Sequence, residues 1–150
     1  MISVQAEDFD IGREVAALRK GGAGIGAIVT FTGTVRGDDG LTAMTLEHYP
    51  GMTEKALEDI VAEARARWPL EAVRVIHRVG RLRPGDNIVL VAAASAHRRA
   101  AFEAAGFLMD YLKTDAPFWK LEERGGEKRW VEARGSDDEA RARWDRRDAE

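Results

Sequence analysis

The stretch NIVLVAAASAHRRAAFEAAGFLMDYLKTDAPFWK, residues 87–120, decides how this chain is read. Its opening run, residues 87–94, is nearly continuous in apolar residues, the pattern of a strand covered on both faces. Ser95, a favoured N-cap residue, is then predicted to open a helix. Phe102, Ala105, Met109 and Leu112 recur at helical spacing as its inward stripe, and Gly106 weakens the helix and suggests a close contact. His97, Arg98 and Arg99 stand in the first turn, where free backbone N–H groups and the positive end of the helix dipole favour an anion. Pro117 ends the helical pattern, because proline disfavours helix at the residue before it, and leaves Lys113 and Lys120 on either side of a change in chain direction.

Upstream, residues 10–20 read as a short amphipathic helix with Val15 and Leu18 inward, stopped by Gly21-Gly22. Residues 27–37 are rich in β-branched side chains and predict a strand with Arg36 at its end, followed by a loop through Asp38-Asp39-Gly40. A strand over 42–48, the Pro50-Gly51 turn and a helix over 53–68 follow, with Leu57, Ile60, Val61, Ala64 and Trp68 as the inward face. Val73, Val75, His77 and Val79 alternate with Arg74, Ile76 and Arg78 in a further strand, and the turn at residues 83–86 returns the chain. Downstream, Trp119, Leu121, Trp130 and Val131 suggest a final hairpin, and the charged segment after Ser136 reads as helical or frayed and exposed. Strands mixed with helices, some joined as hairpins, predict an α+β domain.

At 150 residues, 45% hydrophobic and 33% charged, the chain fits one domain with an ordinary core. A formal charge of -3 argues against a general nucleic-acid binder, so any anion site is local. No signal-peptide pattern or apolar run of membrane-spanning length is present, which makes the cytoplasm the expected location and a membrane an unexpected partner. The absence of cysteine excludes a cysteine nucleophile and thiolate metal ligands, and three scattered histidines offer little for zinc, so no metal site is expected. If sulfur is handled, another molecule must carry it.

Each chemical candidate has an ordinary structural reading beside the functional one. His97 and Arg98 are either a phosphate-holding pair or solvated first-turn residues. Lys113 and Lys120 are either acid–base or electrostatic groups or surface lysines. Arg36 is either a ligand for phosphate or carboxylate or a loop-border arginine. His48 fits a packed turn, and His77 an ordinary strand position, at least as well as a functional role. If residues 96–112 form one straight helix, His97 and Lys113 lie about 24 Å apart at about 1.5 Å per residue. The two clusters are then either separate sites or parts of one site completed across a symmetric dimer; one substrate that uses both requires the dimer.

VTFTGTVRG at 29–37, LEHYPGMTEKAL at 46–57, VIHRVGRLRPGD at 75–86, SAHRRAAFEA at 95–104, MDYLKTDAPFWK at 109–120 and RWVEARGSD at 129–137, in that order, closely resemble the large, catalytic subunit of molybdopterin synthase, the MoaE family. The resemblance implies a single-domain α/β hammerhead-type fold over residues 1–136, with a mixed or antiparallel sheet and flanking helices, followed by a charged tail at 137–150. It implies conversion of cyclic pyranopterin monophosphate to molybdopterin by insertion of two dithiolene sulfurs. The sulfur would come from the C-terminal Gly-Gly thiocarboxylate of a ubiquitin-like MoaD-type small subunit, in a heterotetramer built on a MoaE homodimer, with no tightly bound cofactor. Carried over by position, the substrate contacts are Thr34, Val35, Arg36, His97, Arg98, Leu121 and Glu122, with Lys113 and Lys120 as the catalytic lysines that also contact substrate. The rival reading is a non-catalytic phosphate-ligand-binding or scaffold subunit of the same fold.

Overall fold

In the computed structural model, which describes residues 1–131 and 135–149, the apolar run at residues 87–95 forms a strand buried from Val89 to Ser95, and the rest of the domain is layered around it. The elements in chain order are β1 (Ile2–Gln5), α1 (Ile11–Arg19), β2 (Ala27–Thr34), β3 (Leu41–His48), α2 (Met52–Arg67), β4 (Leu70–Arg78), β5 (Gly80–Leu82), β6 (Asn87–Ser95), α3 (Arg98–Asp115), β7 (Phe118–Arg124), β8 (Glu127–Val131) and α4 (Gly135–Ala149). They form two four-stranded sheets. The first is mixed, in the order β1-β4-β6-β2, with β1 parallel to β4 and the other pairs antiparallel. The second is antiparallel, in the order β5-β3-β7-β8.

The expected α+β architecture is present, and the final hairpin is β7–β8. The short strand β1 carried no alternation long enough to announce itself; the Met1 ammonium donates to the Val73 oxygen at 2.8 Å and anchors it beside β4. The turn at residues 83–86 returns the chain from the second sheet to the first, since β5 pairs with β3 while β6 pairs with β4. Gly33 sits where the β2–β6 register shifts, and a Cβ there would stand 2.9 Å from a Val89 methyl carbon. Only glycine fits that approach without a shift. Val35 beyond it donates its N–H to the Asp86 oxygen at 2.9 Å and accepts from Gly85 at 2.8 Å, so the segment leading to Arg36 is pinned to the turn that opens β6.

The main core joins α2 and α3 to one face of the first sheet, with Leu57, Ile60, Val75, Val91, Phe107 and Leu108 among its members. In α3 the buried face differs from the expected stripe. Ala101, Ala104, Ala105, Phe107, Leu108, Tyr111 and Leu112 are buried, whereas Phe102 is 65% exposed. Successive alanines at 100–101 and 104–105 leave the apolar stripe ambiguous by one position, and the larger Phe107 determines the face that turns inward. The helix also starts later than expected. Ser95 ends β6, and its hydroxyl donates to the Pro69 oxygen at 2.7 Å, while His97 occupies the N-cap without a side-chain capping bond. A buried strand end gives the hydroxyl a better use than capping, because its own oxygen would otherwise lack a partner.

The segment after Ser136, read as helical or frayed and exposed, is helical as α4, but Trp144 departs from the exposed reading and enters the core at 8% exposure. Its ring meets Phe107 and Trp68 edge-on at centroid distances of 5.6 and 5.5 Å, its Nε1 donates to Asp110 at 2.7 Å, and a Cβ added at Gly106 would lie at ordinary contact distance, 3.6 Å, from it. One large apolar residue among charges produced no helical stripe to read. Residues 132–134 of the RWVEARGSD motif and Glu150 of the charged tail lie outside the described residues. Trp144→Ala is expected to cost about 3 kcal/mol, as for other buried aromatic truncations, measured as a lower denaturation midpoint. An unchanged midpoint would return the segment to the status of a loose tail.

Candidate functional site

The bulge at the end of β2, the start of β6, the C-terminal turn of α3 and the inward face of β7 enclose a cleft of about 570 Å³ between the two sheets. Thr34, Val35, Arg36, Lys113, Lys120 and Glu122 all line it. Lys113 arrives on the last turn of α3, where a cation complements the helix dipole. Ala116 and Pro117 then reverse the chain, and the two-residue alternation of β7 sends Phe118, Lys120, Glu122 and Arg124 into the cleft. The same alternation puts Leu121 on the other face, so its side chain is not part of the cleft lining.

The turn between α3 and β7 is held by Thr53, which is fully buried. Its hydroxyl donates to the Pro117 oxygen at 2.9 Å and accepts from the Tyr49 N–H at 2.9 Å. Across the cleft, Arg36 is exposed and pairs with Asp38 at 3.6 Å. Arg124 donates to the backbone oxygens of Asp38 and Asp39 at 2.9 and 2.7 Å, and its guanidinium lies 3.5 Å from Glu122. Arg124 thereby ties the loop that carries Arg36 to the strand that carries Lys120, across a segment in which Asp39 adopts a left-handed φ of 53°.

His77 and Phe118 form the floor. Their rings stack with centroids 3.7 Å apart and planes 16° from parallel, and His77 is 3% exposed. Burial pushes the His77 pKa down to about 4; the nearby charges of Lys113, His48 and Lys120 act in the same direction, against the hydrogen bond with the Arg78 backbone. The ring is therefore neutral at physiological pH. In the sequence His77 fitted an ordinary strand position at least as well as a functional role, and Arg124 carried no functional assignment. The available signal was a polar side chain in register with Val73 and Val75 on an otherwise apolar strand face.

His97 and Arg98 do not join this cleft. Both are exposed at the opposite end of α3, about 22 to 24 Å from Lys113 along the axis at about 1.5 Å per residue. Within one chain the two clusters remain apart. Among the described residues, no group of three or more His, Asp or Glu side chains is arranged to hold a metal ion.

The MoaE protein family model matches residues 4–115. The chain belongs to the MoaE family. A relative from Mesorhizobium japonicum named molybdopterin synthase catalytic subunit is 58% identical over 146 residues, covering 95% of this chain and 92% of its own. The solved molybdopterin biosynthesis MoaE protein from Burkholderia ambifaria superimposes with a TM-score of 0.85 at 57% identity, covering 97% of each chain. At 18% identity and a TM-score of 0.76, the same fold occurs in a protein–protein complex of subunits 1 and 2 of molybdopterin-converting factor from Helicobacter pylori, covering 89% of this chain and 91% of that one.

The neutrality of His77 has a consequence for stability. Between pH 6.5 and about 4 the unfolded chain takes up a proton that the folded ring refuses, so this residue's contribution to stability is lost as pH falls through that window. Denaturation curves at pH 7 and pH 5 are expected to show a stability loss that is smaller in His77→Phe, and an equal loss in both proteins would contradict the buried neutral ring.

Proposed function

We propose that this cleft performs the chemistry of a molybdopterin synthase catalytic subunit, converting cyclic pyranopterin monophosphate to molybdopterin by inserting two dithiolene sulfurs. The observation that carries the reading is the convergence of Lys113 and Lys120, from opposite sides of the proline turn, on one cleft that Arg36 also lines. Two ammonium groups over a floor of uncharged stacked rings favour developing anions more than they would in bulk water. A guanidinium at the mouth suits a phosphate, and it has an exposed aspartate partner that such a ligand can displace.

Sulfur arrives from outside, since the chain has no cysteine. In the proposed course a MoaD-type small subunit inserts its C-terminal Gly-Gly thiocarboxylate, and the sulfur attacks a side-chain carbon of the pterin, forming a carbon–sulfur bond as the carbon–oxygen bond at that carbon breaks and the oxygen leaves, with the cyclic phosphate ring opening in the course of the reaction. Water then hydrolyses the acyl–sulfur link and releases the spent carboxylate, and a second small subunit repeats the transfer. Lys113 and Lys120 stabilise the anions formed in these steps or move protons, while Thr34, Val35 and Glu122 contact the substrate beside them. Leu121 contributes through its backbone alone. No tightly bound cofactor takes part, and the reaction runs in the cytoplasm.

His97 and Arg98 belong to this reading only across a homodimer, in which the helix start of one chain reaches the lysines of the other, with a small subunit on each chain completing a heterotetramer. The exposed Phe102, in the second turn of α3, gives such an association apolar surface near that helix start. The relatives' naming as catalytic subunits leaves the non-catalytic scaffold reading without support.

The test is a single-turnover assay with cyclic pyranopterin monophosphate and a thiocarboxylated MoaD-type partner. Molybdopterin formed only when all components are present is the expected result; a stable complex without product would overturn the reading. Lys113→Ala is expected to lower the rate at least about 100-fold with the fold intact, and a normal rate would remove it from the mechanism. Mixed dimers of Lys113→Ala and His97→Ala chains should recover activity at one intact site, and no recovery in confirmed mixed dimers would place each site within a single chain.

A further inference from the structure

The His77 ring makes one hydrogen bond, between Nδ1 and the backbone oxygen of Arg78 at 2.8 Å. A carbonyl oxygen only accepts, so Nδ1 carries the proton and Nε2 of the neutral ring presents a bare lone pair. Among the described residues, no buried side-chain nitrogen or oxygen lacks a partner. Nε2 has none, so it is not sealed within the protein and opens onto the cleft that the ring lines. Its direction is held by the stack on Phe118, whose N–H in turn donates to the Ala116 oxygen at 3.0 Å within the proline turn. Lys113 from α3, Lys120 from β7 and His48 from the end of β3 act electrostatically on the ring, and Arg36, Asp38 and Asp39 from the loop after β2 and Glu122 and Arg124 from β7 line the same cleft.

We propose that His77 is a positioning residue for the lysine pair, accepting a hydrogen bond at Nε2 from the Lys113 ammonium and holding that ammonium charged and directed into the cleft. The functional part of this inference rests on sulfur insertion taking place here. Of the charges that act on the ring, Lys113 exerts the largest effect. A neutral acceptor meets a requirement that a carboxylate would not: it orients the ammonium without cancelling the positive potential that an anionic substrate needs. The burial that keeps the ring uncharged also prevents a third cation from repelling the two lysines.

In the full chain with its thiocarboxylated partner, His77→Phe preserves a ring on Phe118 and removes Nε2. Its single-turnover rate is expected to fall about tenfold with substrate affinity within about twofold of the parent. The alkaline limb of its rate–pH profile should move to lower pH, because Lys113 loses an acceptor that favoured its charged form. His77→Gln, which can place an amide oxygen near the Nε2 position, should recover most of the rate. A parental rate and profile in His77→Phe would overturn the proposal, as would a glutamine variant no better than phenylalanine.

A second measurement needs no turnover. In nitrogen NMR spectra of the parent chain, Nε2 of His77 should show the resonance of an unprotonated ring nitrogen, and Lys113→Ala should move it while Lys55→Ala, on the exposed face of α2, should not. A resonance indifferent to Lys113→Ala would overturn the contact even if the His77 variants failed to fold. A responsive resonance in a chain that forms no product would support the contact and remove sulfur insertion instead, which separates the two readings.

Discussion

The buried hydroxyl of Thr53 is the constraint on which the geometry of the cleft depends. It closes one bond to the strand-to-helix turn at Tyr49 and another to Pro117, and thereby fixes the path from the end of α3 into β7. Three residues that meet in the cleft, Lys113, Phe118 and Lys120, lie within a few positions of that turn. A buried hydroxyl left without partners is costly, so the turn has one low-energy arrangement rather than several. The two lysines of the cleft inherit their relative placement from a residue that does not line it.

Much of the fold was legible because its strongest signals are periodic. The continuous apolar run of β6, the inward stripe of α2 and the proline after Asp115 each correspond to one physical demand, and each element stands where its pattern predicts. What escaped was set by tertiary contact. Ser95 has the chemistry of an N-cap, yet the end of a buried strand gave its hydroxyl a carbonyl partner at Pro69, and the helix began at Arg98. Trp144 is isolated among charges, and only the surface offered by Phe107 and Trp68 makes it a core residue. Phe102 shares the spacing of the buried face but falls on its outer side.

The site was legible in its cations and illegible in its floor. Lysines on either side of a proline announce a feature by position, and strand alternation then explains why Lys120 and Glu122 point inward while Leu121 does not. The separation of His97 from Lys113 follows from the rise of a helix alone and survives the corrected helix start, since moving the N-cap changes the distance by only a few ångströms. Within one chain the helix start and the lysines stay apart, which is why the proposed reaction needs a second copy to use both.

His77 shows why a site's neutral members are hardest to read. A histidine in register with buried valines looks like a core residue, and by exposure it is one. Its difference from a valine lies in one unpaired nitrogen, and that difference becomes visible only when the Arg78 oxygen assigns the proton to Nδ1 and Phe118 orients the plane. The cleft then combines two kinds of group held by opposite means. The lysines stand at least partly open to water, whereas the imidazole is driven into the interior and kept neutral, so the acceptor proposed to direct them adds no charge of its own.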